Sequence, residues 1–94
     1  MGSVSIRFSN GFRLETAGFS YDITNSVSLV DLMSAWCEQN APEMLGRLFE
    51  PKTEYIAGSI LITLNGRSVK SDNPKTTMVS PGDSIFVTPI LVGG

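Results

Sequence analysis

Apolar and polar residues alternate strictly over Val4-Ser5-Ile6-Arg7-Phe8-Ser9. Val4, Ile6 and Phe8 fall on one face, which predicts a half-buried strand. The turn dipeptide Asn10-Gly11 follows, and Phe12 to Gly18 has no clean period and reads as a connecting loop. Alternation resumes over Phe19-Ser20-Tyr21-Asp22-Ile23-Thr24, with Phe19, Tyr21 and Ile23 inward, and the two strands should pair antiparallel. The period then changes. Leu29, Leu32, Met33, Trp36 and Cys37 stand at i, i+3, i+4, i+7 and i+8, one apolar stripe of a helix. Ser28 suits its N-cap, Asp31 lies at capping-box spacing, and Val27 with Leu32 can form a hydrophobic staple. Asn40 can end the helix. Pro42 fits the first position of a second, shorter helix with a weak apolar face of Met44, Leu45, Leu48 and Phe49, weakened by Gly46. Glu50 to Gly58 reads as loop.

Ser59-Ile60-Leu61-Ile62-Thr63-Leu64 is apolar at nearly every position, as a central strand would be. Asn65-Gly66 is a hairpin turn, and Arg67-Ser68-Val69-Lys70 is a short returning strand polar enough for a sheet edge. Ser71 to Val79 is polar, contains Pro74 and reads as loop with one turn near Thr77-Met78. Pro81-Gly82-Asp83 is a tight turn. Ser84-Ile85-Phe86-Val87-Thr88 is the last strand, ended by Pro89. One amphipathic helix must cover a mixed sheet. The expected fold class is therefore α+β: a β-grasp sheet of about five strands, with one main helix on one face, a second short helix, and the other sheet face open. The first and last strands should lie side by side at its centre. Residues 1-88 are expected to form the domain and 89-94 a flexible C-terminal arm.

Composition removes competing chemistries. The chain has 94 residues, enough for one small core, with 41% hydrophobic residues and a mean hydropathy of +0.11. A net charge of −2 and scattered Lys and Arg argue against nucleic acid. With no His and a single Cys, Cys37, the chain lacks the donors for zinc and iron–sulfur sites, for Ser-His-Asp catalysis and for structural disulfides. Cys37 lies on the apolar stripe and reads as core. A lone Cys fits a reducing, cytoplasmic setting, and the longest apolar run is too short to span a membrane. Met1-Gly2-Ser3 carry no weight. Asp22, Asp31, Asp72 and Asp83 show no paired partner, Asp83 reads as a turn residue, and Glu38, Glu43, Glu50 and Glu54 read as solvated surface. No catalytic residue and no metal site is expected.

Attention then falls on the end, Thr88-Pro89-Ile90-Leu91-Val92-Gly93-Gly94. Two terminal glycines are thin and conformationally permissive, suited to threading a narrow site and presenting a carboxylate. Leu64-Asn65-Gly66-Arg67, then Pro81-Gly82-Asp83-Ser84-Ile85-Phe86-Val87, then Pro89 and Gly93-Gly94 together resemble the MoaD/ThiS family of sulfur-carrier proteins, which are ubiquitin-like β-grasp domains. The length is closest to the molybdopterin synthase small subunit or the Urm-type carriers. One proline and the bulkier Ile90, Leu91 and Val92 before the glycines depart from the molybdopterin-synthase pattern and leave the pathway open.

The resemblance implies a non-enzymatic carrier. Its Gly94 carboxylate is adenylated by a ubiquitin-activating-like adenylyltransferase and converted to a thiocarboxylate, while Gly93, Val92 and Leu91 thread the partner's tunnel. The chain binds no cofactor; ATP and magnesium belong to the partner. Sulfur passes to an acceptor enzyme such as the molybdopterin synthase large subunit, with thiamine and tRNA thiolation as alternatives. A ubiquitin-like modifier joined through Gly94 to target lysines would use the same tail.

Side-chain parity adds a docking surface. If Ile85 and Val87 face the core, Phe86 and Thr88 face away. Leu61 and Thr63 from the neighbouring strand and Arg7 from the first strand join them. This apolar patch beside the tail, bordered by Arg7, is expected to dock the activating or acceptor enzyme.

Overall fold

In the computed structural model, which describes residues 2–9 and 18–90, the alternation of Val4, Ile6 and Phe8 is realised in strand β1, Gly2–Phe8. The alternation of Phe19, Tyr21 and Ile23 forms β2, Gly18–Ile23, paired antiparallel to β1. The turn and loop expected over Asn10 to Ala17 lie outside the described residues. Gly2 and Ser3 belong to β1, opposite Ile23 and Asp22. Gly2 also meets a close approach: a Cβ there would lie 2.8 Å from Pro81 Cβ.

Strand β3 (Val27–Ser28) leads into helix α1, Leu29–Asn40. Ser28 Oγ accepts the Asp31 N–H at 3.1 Å, as a capping serine should. Two of the helix's orphan donors are satisfied from elsewhere: Leu29 N–H donates to Thr77 O and Val30 N–H to Pro74 O. That covering segment buries Val30 as well, so the apolar stripe is wider than its spacing indicates. At the other end the Asn40 amide donates to Trp36 O. Ala41 leaves the helical region, with φ −157° and ψ 72°, as a residue before proline is driven to do. Pro42–Met44 then forms a 3₁₀ turn, with Pro42 in its first turn, running into α2, Leu45–Leu48.

Strands β4 (Ile60–Leu64) and β5 (Arg67–Ser68) make the expected hairpin, the return being two residues long. The segment expected as plain loop contains β6, Met78–Val79, which pairs with β3 in a small second sheet. A two-residue strand has no periodicity to read; a partner 50 residues away in sequence makes it. The final strand β7 spans Ser84–Pro89. Pro89 is the strand's last residue, paired with Ile60 of β4. Ile90 N–H donates across to Ser59 O, so the nitrogen of Pro89 points the opposite way, toward the end of β1, where Ser9 N–H donates to Val87 O. Pro89 has no N–H to continue that parallel ladder, and the ladder goes no further.

The main sheet has the order β2-β1-β7-β4-β5, with β1 and β7 parallel and β7 antiparallel to β4. The first and last strands therefore lie side by side at the sheet centre, which is the β-grasp arrangement. α1 covers one face, and Leu29, Leu32, Met33, Trp36 and Cys37 pack with Val4, Ile6, Phe8, Ile62, Ile85 and Val87 in one core.

Two turns hold the start of β7. Asn65 and Gly66 have φ of 52° and 84°, the left-handed pair that tight hairpins require. The Asn65 amide donates to Asp83 Oδ1 at 3.1 Å, its carbonyl accepts Ser84 N–H at 2.9 Å, and Asp83 Oδ2 accepts Ser80 N–H at 2.8 Å. Asn65→Ala should therefore cost about 1–2 kcal/mol, combining left-handed strain with the lost bonds. Asn65→Gly keeps the φ and loses only the bonds, so urea denaturation of both variants separates the two contributions. An alanine variant as stable as the parent would show that the network contributes nothing.

Candidate partner-docking face and C-terminal arm

Residue parity in β7 sends Ile85 and Val87 into the core and leaves Ser84, Phe86 and Thr88 on the reverse of the sheet. The register then decides what stands beside them. Arg7 of β1 and Thr63 of β4 are the two cross-strand neighbours of Phe86, and Ser68 of β5 continues the row. Leu61 lies opposite Thr88. All five expected docking residues, Arg7, Leu61, Thr63, Phe86 and Thr88, thus occupy one face of the central strands.

The face is mixed in character. Phe86 is 40% exposed, while Leu61, Thr63 and Thr88 are half-buried and Arg7 is exposed. Ser5, Ser20 and Ser84 surround them with small polar side chains. Gly18, opposite Arg7 on the other side, leaves the arginine stem unobstructed; a Cβ there would lie 3.9 Å from Arg7 Cγ. Arg7 forms no ion pair among the described residues. A large ring beside a guanidinium with no ion pair among the described residues can supply apolar burial and a charged anchor to one partner, and aromatic and arginine side chains dominate binding energetics.

Sequence reasoning missed Ile90. The β7–β4 ladder continues past Pro89 through the Ile90–Ser59 bond, so Ile90 shares the parity of Phe86 and Thr88. It is 43% exposed. The signal was the parity itself, carried one bond beyond the strand's last residue, Pro89. Leu91, Val92, Gly93 and Gly94 lie outside the described residues.

The other candidate groups are structural. Cys37 is fully buried. Burial first, and the Glu43 carboxylate second, push its thiol up to about 11, so at neutral pH it stays protonated and is a poor nucleophile. Asp83 is held by Asn65 and Ser80, as a turn residue is. Glu54 pairs with Lys75 at 2.9 Å in an exposed ion pair, and the carboxylate's hydrogen bond and charge raise the Lys75 ammonium.

No family model matches the sequence, and comparison with curated protein sequences finds no match. Solved structures do match over nearly the whole chain. The HVO 2177 protein of Haloferax volcanii is similar with a TM-score of 0.78 and 22% identity, covering 99% of this chain and 87% of that one. SAMP1 of the same organism, a small archaeal modifier protein, gives 0.75 and 17%, covering 99% and 100%. Urm1 of Trypanosoma brucei gives 0.71 and 17%, covering 99% and 96%. At such identities likeness of structure establishes likeness of fold, and with the strand order and single covering helix described above it shows that this chain has the ubiquitin-like β-grasp fold.

Proposed function

We propose that the chain is a ubiquitin-like carrier whose working group is the Gly94 carboxylate, and that its principal product is a C-terminal thiocarboxylate that donates sulfur in cofactor biosynthesis, with molybdopterin the first acceptor to test. The observation that carries this is the position of β7. It is a central strand pinned on both sides, it exposes Phe86 on the open sheet face, and it leads directly into the segment that ends the sequence in Gly93-Gly94. A partner gripping that face would hold the arm at a defined origin.

The chemistry follows from a carboxylate being a poor electrophile. In the partner's site a Gly94 oxygen attacks the α-phosphorus of ATP and pyrophosphate leaves. The resulting acyl-adenylate carries a good leaving group, which a persulfide sulfur displaces as AMP; reductive cleavage of the sulfur–sulfur bond by a second thiol leaves the thiocarboxylate. The site must hold the reacting atoms at near-attack distance and exclude water, which would hydrolyse the adenylate. Both demands favour a narrow channel, and residues without a Cβ pass through it most easily.

A second outcome is supported by the similarity to a protein named as a modifier: the activated carboxyl acylates lysines of other proteins. Intact-mass measurement after incubation with the cognate activating enzyme and a sulfur donor separates the two. A gain of ~16 Da, one oxygen replaced by sulfur, marks the thiocarboxylate, whereas Gly-Gly remnants on lysines of other proteins mark conjugation. Phe86→Asp removes the exposed ring and places a carboxylate at the centre of the docking face. It should slow thiocarboxylate formation roughly tenfold or more while leaving the fold intact. A well-folded variant activated at the parental rate would sink the docking role.

A further inference from the structure

On the opposite layer from Phe86, where α1 and α2 meet, the surface is concave. Val30 and Phe49 form the apolar base of a groove of about 420 Å³, with Pro42 and Pro51 as walls and the carboxylates of Glu50 and Glu54 at its edge. That volume is in the range of ligand-binding clefts, and apolar walls with a few placed polar groups are their usual lining. The loop carrying the two carboxylates is a tight, ordered turn: Glu50 N–H donates to Tyr55 O and Glu54 N–H to Glu50 O.

We infer that this groove is a second docking site, and that its occupant is a segment of a partner protein placing a lysine against Glu50 and an adjacent apolar side chain against Val30 and Phe49. Charge decides the occupant. Residues 31–54 hold five carboxylates and two cations, and one of the five, Glu54, is already paired with Lys75, which leaves the segment with a net excess of two carboxylates. The helical layer therefore attracts cations while the open sheet face presents Arg7. Lys75 shows how an ammonium seats at this edge, 2.9 Å from Glu54 Oε1. Glu50 has no cationic partner among the described residues and is left for one from outside. The groove walls suit the methylene stem of a lysine, which buries its carbons while its charge stays at the solvated edge. The site is independent of the chemistry at Gly94, so carrier and modifier alike could use it.

Gly46 supplies a clean test. It borders the groove within α2, and a Cβ built there meets nothing within 4 Å. Gly46→Leu should therefore fill the groove without straining the backbone. The full chain, labelled with ¹⁵N, is titrated with acetyl-Leu-Lys-Leu-Pro-amide and with the same peptide carrying Glu in place of Lys. The lysine peptide is expected to shift the amides of Val30, Gly46, Phe49 and Glu50 saturably, and the glutamate peptide to shift none of them. Glu50→Gln should weaken the lysine peptide about threefold. Gly46→Leu should abolish binding, and Phe86→Asp should leave it unchanged, which keeps this site separate from the sheet-face proposal. Equal response to both peptides, shifts confined to Phe86 and Thr63, no saturable shift, or a Glu50→Gln variant that binds as tightly as the parent would each overturn the inference. The Glu50→Gln arm decides the matter even if Gly46→Leu does not fold.

Discussion

Deleting Gly94 is expected to abolish thiocarboxylate formation while leaving the domain as stable as the parent. The deletion leaves a carboxylate, now on Gly93, so the chemical group is unchanged. What changes is its reach: the arm is shorter by one residue, about 3.5 Å of extended chain. A reacting carboxylate held that far from its phosphorus loses the benefit of a positioned attack, and displacements of about 1 Å already cost roughly 100-fold. The expected loss in the intact-mass assay is therefore at least about 100-fold. Gly93→Ala keeps the length and adds a single Cβ, and it should act more mildly, by hindering passage. The urea midpoint should not move in either variant, since glycine has no side chain to pack. A deleted variant that still gains ~16 Da at the parental rate would show that the length of the arm does not position the carboxylate. A chain extended beyond Gly94 that remains fully active would remove the Gly94 carboxylate from the mechanism.

The largest stability effect is expected at Trp36. Its ring lies 5.0 Å from Phe8 and 4.8 Å from Phe19, centroid to centroid, and the two phenylalanines meet edge-on at 6.1 Å. This cluster joins α1 to β1 and β2, and Trp36 is only 2% exposed. Trp36→Ala removes the largest core side chain and leaves a void that a close-packed interior fills only in part, costing about 3–5 kcal/mol. Small domains are stable by only about 5–15 kcal/mol in all. The melting temperature should fall by roughly 12–40 °C, followed by circular dichroism because the fluorophore itself is lost. Trp36→Phe retains much of the ring packing and should cost distinctly less. An alanine variant losing under about 1 kcal/mol would mean that the cluster is not the joint between helix and sheet.

The docking face and the groove lie on opposite layers of the molecule, and the core between them is held by this aromatic joint. Variants on either face can therefore be compared without disturbing the other, provided the core is untouched. This makes Phe86→Asp and Glu50→Gln informative as a pair. The first is expected to affect activation alone and the second peptide binding alone.

Much of the fold was legible in residue order, because the signals involved are local. Alternation in β1, β2 and β7, the 3.6-residue stripe and Ser28 cap of α1, and the Asn65-Gly66 turn each depend on neighbours a few positions away. The β-grasp arrangement followed from their order, and the parity of Phe86 and Thr88 placed them on the open face. Other features depend on distant partners and could not be read that way. β6 exists because Val79 and Met78 find Val27 and Ser28. Val30 is buried because Pro74 and Thr77 fold over the start of α1. Pro89 is the last residue of β7 because β4 pairs with it while its nitrogen, turned toward the end of β1, has no proton to donate. The juxtaposition of Arg7, Phe86 and Thr63 is likewise a matter of register between strands far apart in sequence. So is the groove, whose walls come from two helices and the loop after them. Local preference sets which way a side chain points along its own strand or helix. Only the packed tertiary structure, balancing backbone hydrogen bonds and apolar burial across the whole chain, decides what it points at.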